Sequence, residues 1–213
     1  MTKPFLIFDF DSTLIQAESL DELASIAHPN DTEKTAEIAR ITDLAMNGEI
    51  DFFQALSQRL AILKLNQRHL DTFKLLVLDK ISKSVLMHKT SFEANANRIY
   101  IVSGGFNELI FPVSDFLGIA RNHVFANQIL LDENQNVIGI NTDSFLAHFE
   151  GKARCVNSLN LKGEIIMIGD GMTDAEVKDS LPNVLFYAYT ENVKREKVLA
   201  KADKIIESVD KLF

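Results

Sequence analysis

The sequence predicts an α/β fold: a Rossmann-like parallel sheet core with helices on both faces, plus a small helical cap inserted after the first strand. Three observations predict it. Four short runs, Phe5–Phe8 (FLIF), Ile99–Val102 (IYIV), Ile165–Ile168 (IIMI) and Val184–Tyr187 (VLFY), are continuously apolar and mostly β-branched or aromatic. Continuous rather than alternating apolarity marks strands buried on both faces. Each run leads into a polar or glycine turn and then a segment of helical spacing, the alternation of a parallel sheet wrapped by helices. Between the first and second runs, by contrast, nothing reads as a strand.

In chain order, FLIF opens the sheet and runs straight into Asp9-Phe10-Asp11-Ser12-Thr13. From about Leu20 to Ser82, apolar residues recur at helical spacing: Leu56, Leu60 and Leu63, then Leu70, Phe73, Leu76 and Val77. Asp51 stands where a helix N-cap belongs, and Gln54 three residues on completes the pattern of a capping box. Three or four helices are expected there. The division is therefore a core of residues 1–15 and 82–213 and a cap of residues 16–81. After Val102 a helix follows, then QILLDENQNVIGI, which reads as a hairpin with a polar four-residue turn. The mixed run Lys194-Arg195-Glu196-Lys197 reads as the solvated face of a helix.

Composition bounds the function. The 213 residues suit one or two domains of roughly 100–200 residues each. With 46% apolar and 24% charged residues, the chain is an ordinary globular one rather than a disordered one. A net charge of −8 argues against nucleic acid or anionic membrane as partners, both of which favour basic surfaces. A small anionic substrate stays compatible with a locally positive pocket. The single cysteine, Cys155, forms no internal disulfide, which suits a reducing compartment. The opening apolar run is cut by Asp9 and Asp11, unlike a secretory signal. No run approaches the ~18 apolar residues of a membrane helix. The expectation is a cytoplasmic chain, monomer or homodimer.

Four constellations carry candidate chemistry. Asp9 and Asp11 are two apart, so both emerge on one side at the C-terminal end of the first strand, where α/β sheets place ligands. Paired carboxylates at that distance repel unless a proton or cation intervenes. Ser103-Gly104-Gly105 follows the second run, offering a hydroxyl and bare amides as an oxyanion seat. Gly169-Asp170-Gly171-Met172-Thr173-Asp174 follows the third, with Asp170 a hard-cation ligand. Lys152 would neutralise aspartates and hold a phosphate oxygen. Each alone has a plainer reading, as a helix cap, a tight turn or a solvated charge. Three such motifs at the ends of three strands of one sheet converge on one edge.

In that order, DFDST, SGG, the isolated Lys152 and GDGMTD resemble the motifs of the haloacid dehalogenase superfamily of phosphotransferases. Within it, the chain resembles the phosphoserine phosphatase family. Glu18 with SLDELA, Ala45-Met46-Asn47-Gly48 with Asp51-Phe52 and Arg59, Phe125-Ala126-Asn127, and Asn192-Val193 in what would be a C-terminal helix similar to the family's extend the likeness over nearly the whole chain. The segment Ser82–Arg98 departs from the family, lacking its proline-glycine turn. Met172 is bulkier than the family's small residue.

The resemblance implies a phosphatase whose substrate is a small phosphomonoester, with phosphoserine and a role in serine biosynthesis the first choice and another small ester the alternative. It implies that Asp9 attacks phosphorus and that Asp11 serves as acid and then base. Mg²⁺ would be held by Asp9, Asp170 and the Asp11 backbone carbonyl. Ser103, Gly104 and Lys152 would grip the phosphoryl group, with Thr173 beside them and Asp174 positioning Lys152. Glu18 would take an ammonium group and Arg59 a carboxylate, with Met46 and Phe52 closing over the aliphatic part. A phospho-aspartate signalling module uses similar groups, but the Asp9-x-Asp11 spacing and the helical insertion speak against it.

Overall fold

A computed structural model describes residues 3–148 and 150–213. The chain begins with β1 (Phe5–Phe8) and then four helices, α1 (Ser19–Ala27), α2 (Thr32–Met46), α3 (Phe52–Leu63) and α4 (Gln67–Leu76). Two short helices, α5 (Lys83–Met87) and α6 (Lys89–Asn95), lead back to β2 (Ile99–Phe106) and α7 (Asn107–Phe116). There follow β3 (Val124–Asn127), the hairpin β4 (Ile129–Leu131) and β5 (Val137–Ile140), α8 (Gly151–Ser158), β6 (Ile165–Gly169), α9 (Met172–Ser180), β7 (Val184–Tyr189), α10 (Glu196–Leu199) and β8 (Lys204–Ile206). Six strands form one sheet in the order β3-β2-β1-β6-β7-β8, and every pairing in it is parallel.

The continuous apolar runs have a simple physical cause. Successive residues of a strand face opposite ways, and here both faces are covered. Leu6 and Phe8 of β1 join one hydrophobic cluster and Ile7 the other. Ile166 and Ile168 of β6 likewise separate from Ile165 and Met167. Helix α7, through Leu109, Ile110 and Val113, belongs to the first cluster. Cys155 and Val156 of α8, with Ala175 and Val177 of α9, belong to the second. Cys155 is thus packed in a helix, and burial pushes its thiol up to about 12.

The insertion between β1 and β2 is built from locally signalled helices. The Asp31 carboxylate caps α2 by accepting from the Lys34 amide, and Asp51 caps α3 by accepting from the Gln54 amide at 2.8 Å. Asn66 caps α4 with His69 returning the bond. Such caps satisfy backbone amides that a helix start leaves open. The two chain crossings between sheet and insertion lie side by side, joined by an Ile15–Ile81 bridge and by the Ser82 amide donating to Leu14 O.

Four details differ from the sequence reading. Strands β3 and β8 are short sheet edges without a long apolar run, so periodicity does not mark them. The β4–β5 turn spans residues 132–136, five rather than four, because Leu131 pairs with Val137. Ser103–Gly105 is not a turn after the strand but an irregular stretch inside β2, whose register shifts between Val102 and Phe106. Asn192 and Val193 precede α10 rather than lying in it. No helix of the described residues is long and apolar enough to cross a membrane.

Candidate active site

The C-terminal ends of β1 and β6 and the irregular second half of β2, three adjacent strands, bring Asp9, Asp170 and Ser103 to one edge of the sheet. Asp9 is 3% exposed, Ser103 1%, Asp170 4% and Asp174 0%. Carboxylate oxygens of Asp9, Asp170 and Asp174 all lie within 4.8 Å of one another.

Lys152 is the counter-charge. Its Nζ lies 2.8 Å from Asp9 Oδ2 and 2.7 Å from Asp174 Oδ1. Burial opposes its charge, but Asp174 and Asp9 outweigh that and hold the ammonium above its ordinary pKa. Its place depends on Gly151, where a Cβ would come within 2.5 Å of Phe145 O, so only glycine lets the start of α8 pack this closely. The other oxygen of Asp174 accepts from the Gly171 amide at 3.0 Å. That carboxylate also lies against Gly169, where a Cβ would be 2.2 Å from Asp174 Oδ2. Both Asp174 oxygens are therefore engaged. Burial, with Asp9 adding, pushes Asp174 up to about 7.

Asp170 is less well served. Thr13 Oγ1 donates to it at 3.3 Å and Arg195 Nε approaches at 3.3 Å. Burial holds its carboxyl well above the usual range, and Glu18, Asp9 and Asp174 add to the effect. A buried set of hard oxygen donors with this much mutual repulsion suits a small divalent cation. The residues present fit Mg²⁺.

Asp11 sits over the irregular part of β2, its Oδ2 3.7 Å from where a Gly105 Cβ would stand. Its Oδ1 accepts from the Ser19 amide at 3.0 Å and from the Ser19 hydroxyl. Burial, then Glu18 and Asp9, hold its carboxyl well above the usual range against those two bonds. Ser12, with a left-handed φ of 51°, turns the chain so that its Oγ donates to Glu18 Oε1 at 2.7 Å. Burial raises Glu18 too, with Ser12 and the arginines opposing.

The insertion delivers the remaining sequence candidates. A Cβ at Gly104 would lie 2.3 Å from Phe52 Cζ, and one at Gly171 3.3 Å from Met46 Sδ. Arg59, 2% exposed, donates from Nη1 to Thr42 Oγ1 at 3.0 Å and from Nε to Ala55 O. Among the described residues it has no carboxylate within ion-pair distance. A cavity of about 260 Å³ opens between insertion and sheet, lined by Phe52, Gly104, Lys152 and Thr173 among others. Glu18 and Arg59 lie outside its lining.

Arg195 is not on a solvated helix face. It is 8% exposed and meets Asp170, Asp43 at 3.1 Å and Glu18 at 3.6 Å. It precedes α10 in irregular chain, so no helical spacing marked it as buried. Thr13, Ser19 and Thr42 also make polar contacts in the site, and the sequence marks none of them.

The fold and this cluster define a class. The family model described as haloacid dehalogenase-like hydrolase matches residues 6–177, and the chain belongs to that family. It is a phosphomonoester hydrolase. A chloroplastic phosphoserine phosphatase of Arabidopsis thaliana is 32% identical over 97% of this chain and 69% of its own length. A phosphoserine phosphatase of Lactococcus lactis is 31% identical over 99% of this chain and 97% of its own. The crystal structure of a phosphoserine phosphohydrolase-like protein from Francisella tularensis superposes with a TM-score of 0.89 at 30% identity, covering 99% of this chain and 98% of that one.

Proposed function

We propose that this chain hydrolyses L-phosphoserine to L-serine and phosphate through an aspartyl-phosphate on Asp9, in serine biosynthesis. The observation that carries the substrate is Arg59, a buried guanidinium that, among the described residues, has no carboxylate within ion-pair distance, although Glu18, Asp21 and Asp11 are near enough to favour its charge. A buried charge without a partner is costly, and a substrate carboxylate is the anion that would complete it as a two-pronged fork. Glu18, beside Asp11, takes the ammonium group. The relatives bearing that activity in their names support the same reading.

An Asp9 carboxylate oxygen attacks phosphorus, and the serine oxygen leaves. Asp11, held above the usual range, carries the proton that the leaving oxygen takes. The carboxylate so formed removes a proton from the water that opens the acyl phosphate, restoring both groups. Ser103 Oγ, the Gly104 amide and Lys152 hold the transferring oxygens, and Thr173 flanks them. Asp174 fixes Lys152. Asp9, Asp170 and the Asp11 carbonyl would hold Mg²⁺, which supplies charge neutralisation for the phosphoryl group when bound. Positioning and electrostatics carry most of phosphoryl transfer. The insertion, residues 16–81, acts as the cap that excludes water, with Met46 and Phe52 over the aliphatic part.

The test is phosphate release from L-phosphoserine beside a panel of small phosphomonoesters, with and without Mg²⁺, with Asp9→Asn as control. Preferential Mg²⁺-dependent turnover of phosphoserine, absent in the control, is expected. Preference for a different ester would overturn the substrate and leave the chemistry of Asp9 standing.

A further inference from the structure

We infer that Arg195 is a positioning residue that couples closure of the helical insertion to the charge of the reaction site. Three nitrogens of one buried guanidinium meet carboxylates from three parts of the chain. Nε faces Asp170 Oδ2 at 3.3 Å on the sheet side. Nη2 faces Glu18 Oε1 at 3.6 Å at the start of the insertion. Nη1 faces Asp43 Oδ1 at 3.1 Å on α2, whose side chain is 69% exposed.

The rest of the segment makes the same crossing. Lys197 Nζ pairs with Glu49 Oε1, just beyond α2, at 2.9 Å. Asn192 Nδ2 lies 3.0 Å from Ser12 O, 3.2 Å from Ile15 O and 2.7 Å from Ser82 Oγ. Those acceptors belong to the two crossings between sheet and insertion. Asn192 thus pins the crossings, while Arg195 and Lys197 grip α2 and the turn after it.

The geometry makes the grip responsive. One guanidinium is held between three anions, and a positive charge placed beside any of them both screens that anion and repels the guanidinium toward the others. A cation beside Asp170 and an ammonium at Glu18 would satisfy two of them, a step that rests on the function proposed above. The guanidinium's remaining anion is then Asp43, so loading the site strengthens the bond that holds the insertion shut. A contact that differs between two states shifts their balance by its differential energy.

The test uses Asp43→Asn, outside the catalytic machinery, beside Arg195→Met and Arg195→Lys. Backbone hydrogen exchange across α2 and α3 is read without ligand, with MgCl₂ alone, and with MgCl₂ plus L-serine. The wild type gains protection with each addition, and Asp43→Asn loses at least about fivefold of that gain. In turnover, Asp43→Asn raises KM by a similar factor while kcat stays within about twofold. Arg195→Lys keeps part of the effect, and Asp43→Asn adds nothing to Arg195→Met. Unchanged exchange in Asp43→Asn, or independent multiplying effects of the two changes, overturns the coupling. A wild type inert toward phosphoserine overturns the substrate instead, and the MgCl₂ arm still decides the coupling.

Discussion

The Phe52 ring packs directly on the α-carbon of Gly104, so that a methyl group there would stand 2.3 Å from Cζ and 2.5 Å from Cε1. The first residue of α3 therefore touches the proposed phosphate seat. Gly104→Ala forces one of the two to move. Misplacement of about 1 Å at a reacting centre costs on the order of 10²-fold in rate, and kcat should fall by about that much. Phe52→Ala in the same chain removes the obstacle, and the double variant should recover much of the loss. Steady-state rates on one ester for all three variants check this.

Lys152 is the shared partner of two buried carboxylates, so Lys152→Met should be costly for folding as well as inactive. Removing one partner of a buried ion pair costs about 3–5 kcal/mol. The deficit should depend on pH with a definite sign. Asp174 is pushed up to about 7, while an unfolded aspartate titrates near about 3.9. Between those values the native state binds more protons than the unfolded state, so stability falls as pH rises. Lys152 holds the Asp174 carboxyl down, so the variant's Asp174 keeps its proton to higher pH than the wild type's, and denaturant melts of metal-free protein should show the gap to wild type widening as pH rises through about 7 to pH 8.

Mg²⁺ should stabilise the folded chain through Asp170. A ligand at about 100 times its Kd adds about 2.7 kcal/mol, so MgCl₂ should raise the Tm of the wild type. Asp170→Asn removes one donor and much of the repulsion, and its Tm should not respond to MgCl₂. Chelation should abolish wild-type turnover, and added MgCl₂ should restore it.

Arg59→Ala should separate recognition from chemistry. Truncating one side of a buried charged pair costs about 2–5 kcal/mol, expected as a fall in kcat/KM for phosphoserine. Turnover of p-nitrophenyl phosphate, which offers no carboxylate, should change little. Equal losses on both esters would place Arg59 in the architecture of the site rather than in recognition.

Much of this fold was legible because burial on both faces writes itself as unbroken apolar runs. FLIF, IYIV, IIMI and VLFY all coincide with sheet strands. Val124–Asn127 and Lys204–Ile206 escaped because edge strands need only a few buried residues. Asp9, Asp11, Lys152, Asp170 and Asp174 stood out by residue type at strand ends. Thr13 and Ser19 did not, since hydroxyls beside acids read equally well as helix caps. The burial of Arg195 is not legible, because a cation among Lys194, Glu196 and Lys197 carries no local sign of where its side chain goes.

The sequence by itself determined the layered sheet, the helical insertion and which carboxylates end the strands, because hydrophobic periodicity and cap chemistry act over a few residues. The tertiary structure alone decided that Asp174 spends both oxygens on Lys152 and Gly171, that Phe52 lies on Gly104, and that Arg195 joins Asp170, Glu18 and Asp43. Those contacts link residues up to 177 positions apart, as Arg195 and Glu18 are. Their energies depend on distance and burial in space, which no spacing along the chain encodes.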